Sequence, residues 1–232
     1  RLALVRKMYA WGVEADMVPA SPVIGVRAPG REDPRRRVLS EAEVAALWRA
    51  WDRLGWPFGP MFKLMLLTAQ RRSDVAAVRL TDIILPDPQW IVPAEKGRPG
   101  REHVVPLSPL ALEILASLPR LGSPYVFPAR GKPDRHASGF SGAAKRTSDL
   151  SGVTDWRTQD LRRTAAAGMA ELGTPAHVID RVLNYTPHGG GAVPITDDPG
   201  AYAREKRAAL DGWSSRVQDI VGGHDVDGKT PR

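Results

Sequence analysis

The sequence predicts a mainly α-helical domain with one small antiparallel β-sheet, an α+β fold, and two changes of rhythm along the chain predict it. Apolar residues recur at three- and four-residue steps through Val44, Leu47, Trp48 and Trp51, and again through Leu161, Ala165, Met169 and Leu172. Between these helical stretches the period becomes extended over residues 82–85, 89–92 and 102–105, with Pro86-Asp87-Pro88 and Gly97-Arg98-Pro99-Gly100 as the turns. A length of 232 residues suits one full domain plus a fragment of another.

Composition narrows the partners. Lys and Arg number 33 against 26 Asp and Glu, with a pI near 10.0, a balance that points to a polyanion such as nucleic acid or, more blandly, to a basic surface kept for solubility. Cysteine is absent, which excludes a disulfide framework, a Cys-based zinc site and a thiol nucleophile, and makes a reducing cytoplasm the expected compartment. No apolar run reaches the length needed to cross a bilayer, so no membrane partner is expected.

In chain order, Leu2, Val5, Met8, Tyr9 and Trp11 read as the last turns of a helix, so residues 1–15 are expected to close a preceding domain. Residues 16–37 carry Pro19, Pro22, Pro29 and Pro34 and end in Arg35-Arg36-Arg37, the composition of an extended basic linker that can lie along a phosphate backbone or simply remain solvated. The main domain is expected over residues 38–221. It opens with a capping box, Ser40 with Glu43 three residues on, stapled by Leu39. Residues 55–60 turn the chain into a strongly apolar helix ending near Thr68, which breaks at Arg71 and Arg72 before a short helix restarts. An arginine at such a junction either faces a ligand or is held against carbonyls or an acid such as Asp74.

Lys96 and Arg101 flank the tip of the hairpin formed by the second and third strands. Ser108-Pro109 opens a helix through Leu118, residues 125–128 read as a brief buried strand, residues 129–141 as a polar loop, and residues 142–150 as a helix. Thr158 is the expected N-cap of the next helix, which places Arg162 about one turn in, at the end that attracts anions. Arg162 and Arg163 can equally be a solvated helix face. Thr174-Pro175 restarts a helix with Val178, Ile179, Val182 and Leu183 inward. His177 points away from that face and reads as a surface residue. A last amphipathic helix presents Leu210, Trp213, Val217 and Ile220, and residues 222–232, polar with three glycines, are expected to be disordered.

Three stretches in this order, LLTAQRRSDVAAVRL around Arg71, PAEKGRPGREHVVPLS around Lys96 and DLRRTAAAGMAELGTPAHVIDRVLN around Arg162, with EKRAALDGW near the C-terminus, resemble the catalytic domain of tyrosine recombinases of the phage integrase type. The resemblance implies that fold over residues 39–221, with the tail of a core-binding domain before the linker. It implies strand transfer on duplex DNA by copies assembled as a dimer or tetramer. A tyrosine hydroxyl attacks the scissile phosphate, and the phosphotyrosyl link conserves the bond energy, so neither cofactor nor metal is required. By resemblance Arg71 and Arg162 hold the non-bridging oxygens, which guanidinium forks match in geometry, and Lys96 protonates the leaving oxygen. Arg72, Arg101, Arg35, Arg36 and Arg37 extend the expected DNA contact.

Three positions depart from the family pattern. Gln159 stands where the His-x-x-Arg box has histidine, and a glutamine cannot take up and return a proton near neutral pH. Tyr185 stands where a histidine or tryptophan is usual, and it keeps one hydrogen-bond donor. Thr196 falls in the nucleophile slot, in a slightly lengthened loop, with an alcohol's acidity in place of a phenol's pKa of about 10. The expectation is therefore a DNA-binding member with cleavage lost or impaired. The alternative is an active recombinase using Tyr202, the nearest remaining phenol, which otherwise packs at a helix start. His188, in the same loop, reads either as a substitute proton carrier or as a solvated residue.

Overall fold

The computed structural model describes residues 2–27, 35–94, 102–185 and 202–223. The chain divides into two compact units, Arg1–Arg36 and Arg37–Arg232. In the first, helix α1 (Leu2–Glu14) buries only Gly12 among its described residues, and the Arg6 guanidinium donates to the Val26 carbonyl.

The second unit is built around α3 (Phe58–Thr68). Eight of its eleven residues are buried, and a helix apolar on all sides must be enclosed by others. Helices α2 (Glu41–Leu54), α4 (Arg72–Ala77), α5 (Pro109–Ala116), α7 (Thr158–Glu171) and α9 (Ala203–Gly223) pack against it. Each of Met65, Leu66 and Leu67, at most 1% exposed, contributes on the order of 1.5–3 kcal/mol by leaving water. The capping box forms as the sequence predicts: Ser40 Oγ accepts from Glu43 N, and Ser40 N donates to Glu43 Oε2 at 2.9 Å. Arg37 pairs with the same Glu43 carboxylate.

Two glycines mark where helices approach too closely for a side chain. A Cβ on Gly59 would sit 2.1 Å from the Trp51 carbonyl oxygen, and one on Gly168 of α7 would sit 2.1 Å from the Trp213 ring of α9. The seated indole also donates to the Leu66 carbonyl at 2.8 Å, so α9 is locked to both α7 and α3. At the other end of the core, Trp51, Phe62, Phe140 and Trp156 meet with ring centroids 5.6–6.3 Å apart.

The three expected strands form one antiparallel sheet, β1 (Ile83–Ile84), β2 (Gln89–Val92) and β3 (His103–Pro106), in that order. Register places Trp90 opposite Val105 and Val92 opposite His103. The polar stretch expected to be a loop instead holds a hairpin, β4 (Pro128–Ala129) with β5 (Lys132–His136), turned by Arg130-Gly131 with Gly131 at φ +70°. Every β5 residue is exposed, so no alternation marked it as a strand. Helix α6 (Phe140–Ser151) begins two residues before the expected start because Phe140 joins the aromatic cluster. The N-cap of α7 is Arg157, not Thr158: the buried Asp160 carboxylate accepts the Arg157 N–H at 2.8 Å. Leu172, expected inward, is 50% exposed because α7 ends at Glu171 and the chain turns away.

Candidate active site

The site is organised by the end of helix α8 (Ala176–Val182). Asn184 adopts φ +47°, the left-handed conformation that closes a helix; its N–H returns to the Arg181 carbonyl at 3.2 Å and that of Tyr185 to the Asp180 carbonyl at 2.9 Å. These two bonds leave the carbonyls of Val182, Leu183 and Asn184 pointing out of the helix without backbone partners among the described residues. Such carbonyls carry the negative end of the helix dipole and attract donors and cations.

Four side chains from three separate stretches of chain meet them. Gln70 Nε2 and His103 Nε2 both bind the Val182 carbonyl, at 2.9 and 3.1 Å. Arg162 donates to the Leu183 carbonyl and, through Nη1, to that of Ala69 at 2.6 Å. Arg71 Nη2 donates to the Asn184 carbonyl at 3.3 Å. The two arginines therefore converge on consecutive carbonyls.

Local structure explains how each arrives. Ala69, C-cap of α3, lies at φ +56°, in the left-handed region, and its carbonyl accepts from Arg162. Arg71 then occupies the N-cap of α4, with a loose ion pair to Asp74 at 3.9 Å and a side chain 39% exposed. Arg162 lies on the buried side of α7 beside Leu161 and Ala165, whereas its neighbour Arg163 is drawn off to Asp160 at 2.7 Å. Arg71 is tied to a carbonyl and an acid, and part of its side chain faces solvent.

The electrostatics are those of a cation pair under strain. Burial, and then the charge of Arg71, push the Arg162 guanidinium down to about 10, against smaller opposing effects of Asp74 and Tyr185. It stays charged at neutral pH. An anion between the two guanidiniums would relieve their repulsion, and two forks can share the oxygens of one tetrahedral anion. His103, 7% exposed, is pushed down to about 3 by burial and then by Lys206, with Arg162 and Arg71 adding to it, so it is neutral.

The other expected residues are placed as follows. Gln159 is exposed in the first turn of α7, and Tyr185 is 62% exposed directly after the α8 cap. Arg72 is exposed with its guanidinium 5.4 Å from the Phe140 ring. Tyr202 is half-buried at the start of α9, its ring 5.7 Å from His177 and 5.4 Å from the Arg181 guanidinium, and its carbonyl accepts from Lys206 N at 2.8 Å. His177 is exposed, as the sequence predicts. Arg37 is held by Glu43, Arg36 is exposed and Arg35 half-buried in the first unit. Lys96, Arg101, His188, Thr196 and the 222–232 tail beyond Gly223 lie outside the described residues.

With this geometry in hand, comparison with known proteins is decisive about kinship: the profile described as "Phage integrase family" matches residues 37–188. The chain belongs to the phage integrase family. This integrase-family chain is 29% identical over 161 residues to prophage integrase IntA of Escherichia coli (strain K12), covering 68% of the chain and 38% of the relative. It is 28% identical over 230 residues to prophage integrase IntZ of the same strain, covering 95% and 55%. The chain thus spans about half the length of these relatives or less. Among solved structures, the lambda integrase(75–356) dimer bound to a COC′ core site matches with a TM-score of 0.60 at 17% identity, covering 84% of this chain and 74% of that one, which shows the shared fold. Among the described residues no helix is long and apolar enough to cross a membrane.

Sequence reading missed His103, Lys206 and Gln70. Strand alternation holds the signal for the first, since His103 and Val105 share one face of β3 and both are buried. Helical spacing holds it for the second: Lys206, Ala209, Leu210 and Trp213 form one buried face of α9, and Lys206 Nζ donates to the Val104 carbonyl at 2.8 Å. Gln70 is 2% exposed and carries no sequence mark beyond adjacency to Arg71.

Proposed function

We propose that this integrase-family domain grips duplex DNA at a single phosphodiester through Arg71 and Arg162, and that covalent cleavage is lost or severely impaired because Thr196 stands in the nucleophile slot. The observation that carries the first half is the convergence of the two guanidiniums on the adjacent Leu183 and Asn184 carbonyls, which fixes both forks from behind. Lys96 takes the place of the leaving-group acid, and Arg72, Arg101, Arg35, Arg36 and Arg37 add sequence-independent phosphate contacts. Gln159 and Tyr185 offer hydrogen bonds to phosphate but not proton exchange.

The second half rests on chemistry. An alcohol is a far weaker acid than a phenol, so Thr196 is a poor attacking group and a poor leaving group on reversal. In this reading Tyr202 packs at the start of α9, its ring against His177 and the Arg181 guanidinium, and does not serve as the nucleophile. The domain then acts in the cytoplasm by occupying recombination sites, alone or as a dimer or tetramer on DNA, in competition with a cleaving relative.

The test is incubation with nicked duplex DNA that traps cleaved product, followed by a denaturing gel. No covalent adduct is expected. An adduct abolished by Tyr202→Phe would overturn the impaired-cleavage reading. Separately, Arg71→Ala and Arg162→Ala are expected to weaken binding and flatten its salt dependence, and unchanged binding in both would remove the clamp.

A further inference from the structure

We propose that His103 is a positioning residue for the arginine pair, acting as an uncharged donor that sets the orientation of the α8 terminal turn. The proposal rests on the reading of Arg71 and Arg162 as a phosphate clamp. A carbonyl oxygen can only accept, so the contact between His103 Nε2 and the Val182 oxygen at 3.1 Å requires the proton to sit on Nε2. That carbonyl also receives Gln70 Nε2 at 2.9 Å, so both of its lone pairs are engaged and its peptide plane is held from two sides. The next two carbonyls in the chain hold Arg162 and Arg71. Because the Asn184 and Tyr185 N–H bonds close these residues into one turn, a rotation at Val182 is passed on to both guanidinium anchors.

A histidine suits this place for a reason visible in its surroundings. The charged groups facing it are Lys206 on α9, Arg162 on α7 and Arg71 at the start of α4. A lysine or arginine here would bring a further cation against the pair and compete for the same carbonyls. Asp or Glu would draw the guanidiniums away from a ligand. A buried neutral imidazole gives one donor and no charge. Its strand is fixed independently, since Lys206 Nζ binds the Val104 carbonyl next along β3 and Gln89–Val92 pairs with the whole strand.

The experiment compares three variants of the full chain. Gln at 103 can place an amide N–H where Nε2 lies; Asn falls short; Leu fills the space without a donor. Two quantities are measured: hydrogen exchange of the Arg162 guanidinium by nitrogen-15 NMR in the free protein, and affinity for a duplex at fixed salt. Loss of one hydrogen bond corresponds to roughly tenfold, so His103→Leu and His103→Asn are expected to speed exchange and weaken binding by about that factor, with His103→Gln within about threefold of the parent. Equal behaviour of Gln and Asn in exchange overturns the proposal, whether or not His103→Leu folds. If Arg71→Ala and Arg162→Ala leave DNA affinity unchanged, the clamp reading fails. The exchange measurement alone then decides whether His103 positions Arg162.

Discussion

The charge state of His103 gives a stability prediction whose size follows from its surroundings. An ordinary histidine titrates near 6.5, and here burial and the neighbouring cations push it down to about 3. As the pH falls through 6.5 the unfolded chain binds a proton at this residue and the folded chain does not. The contribution to stability is therefore complete above 6.5 and is lost progressively as the pH falls toward 3. Between pH 7 and pH 5 this one residue is expected to remove about 2 kcal/mol, the free energy of protonating the unfolded histidine roughly thirtyfold at pH 5. Glu43, whose carboxyl is pushed up by burial but more strongly down by the Ser40 N–H and Arg37, loses its contribution only below its ordinary 4.5, outside this window. Urea denaturation of the parent and of His103→Gln at pH 7 and pH 5 isolates the effect, because every other titrating group is common to both. The parent should lose about 2 kcal/mol more than the variant over that interval. Parallel losses would show that His103 exchanges protons as freely folded as unfolded, and would refute the reasoning.

Four substitutions test other parts of the architecture. Gly168→Ala drives a methyl into the Trp213 ring and should cost about 1–3 kcal/mol in chemical denaturation, against the small gain expected of alanine in an open helix. Asn184→Val places a β-branched residue in left-handed backbone; it should lower stability by about 1–2 kcal/mol and weaken DNA binding together, since the turn carries both arginine anchors. Arg71→Ala and Arg162→Ala should separate in denaturation although both reduce binding. Loss of Arg162 strands the Ala69 and Leu183 carbonyls and costs about 1–3 kcal/mol, while loss of the 39% exposed Arg71 changes stability by about 0.5 kcal/mol or less.

Legibility in the sequence followed burial. Helices α2 and α9 were readable because one face of each is apolar and the period is unambiguous, as with Val44, Leu47, Trp48 and Trp51, while α3 stood out as a continuous apolar run and the three-stranded sheet through short extended stretches between turn residues. The β4–β5 hairpin was not, because Lys132–His136 buries nothing and leaves no periodic trace. Arg71 and Arg162 stood out through their neighbours in sequence, yet what brings them together is the end of α8, and a left-handed Asn184 is not written in any local pattern. The carbonyls that bind them have no side-chain identity at all. Buried polar groups such as His103 and Lys206 are hard to anticipate for a related reason: position on an inward face predicts an apolar residue, and only the partner carbonyl far along the chain reveals why a polar one is retained.

The indole seated in the Gly168 notch makes the last helix a peg rather than a latch. Prising it out would uncover Leu210, Trp213 and Val217 in one movement, break the bond to the Leu66 carbonyl and deprive the Lys206 ammonium of its oxygen on β3. The stretch from Lys206 to Ile220 cannot leave its own copy without dismantling that copy's interior. Any contact α9 offered to another molecule would therefore be made with its outward face, the inward one being already spent.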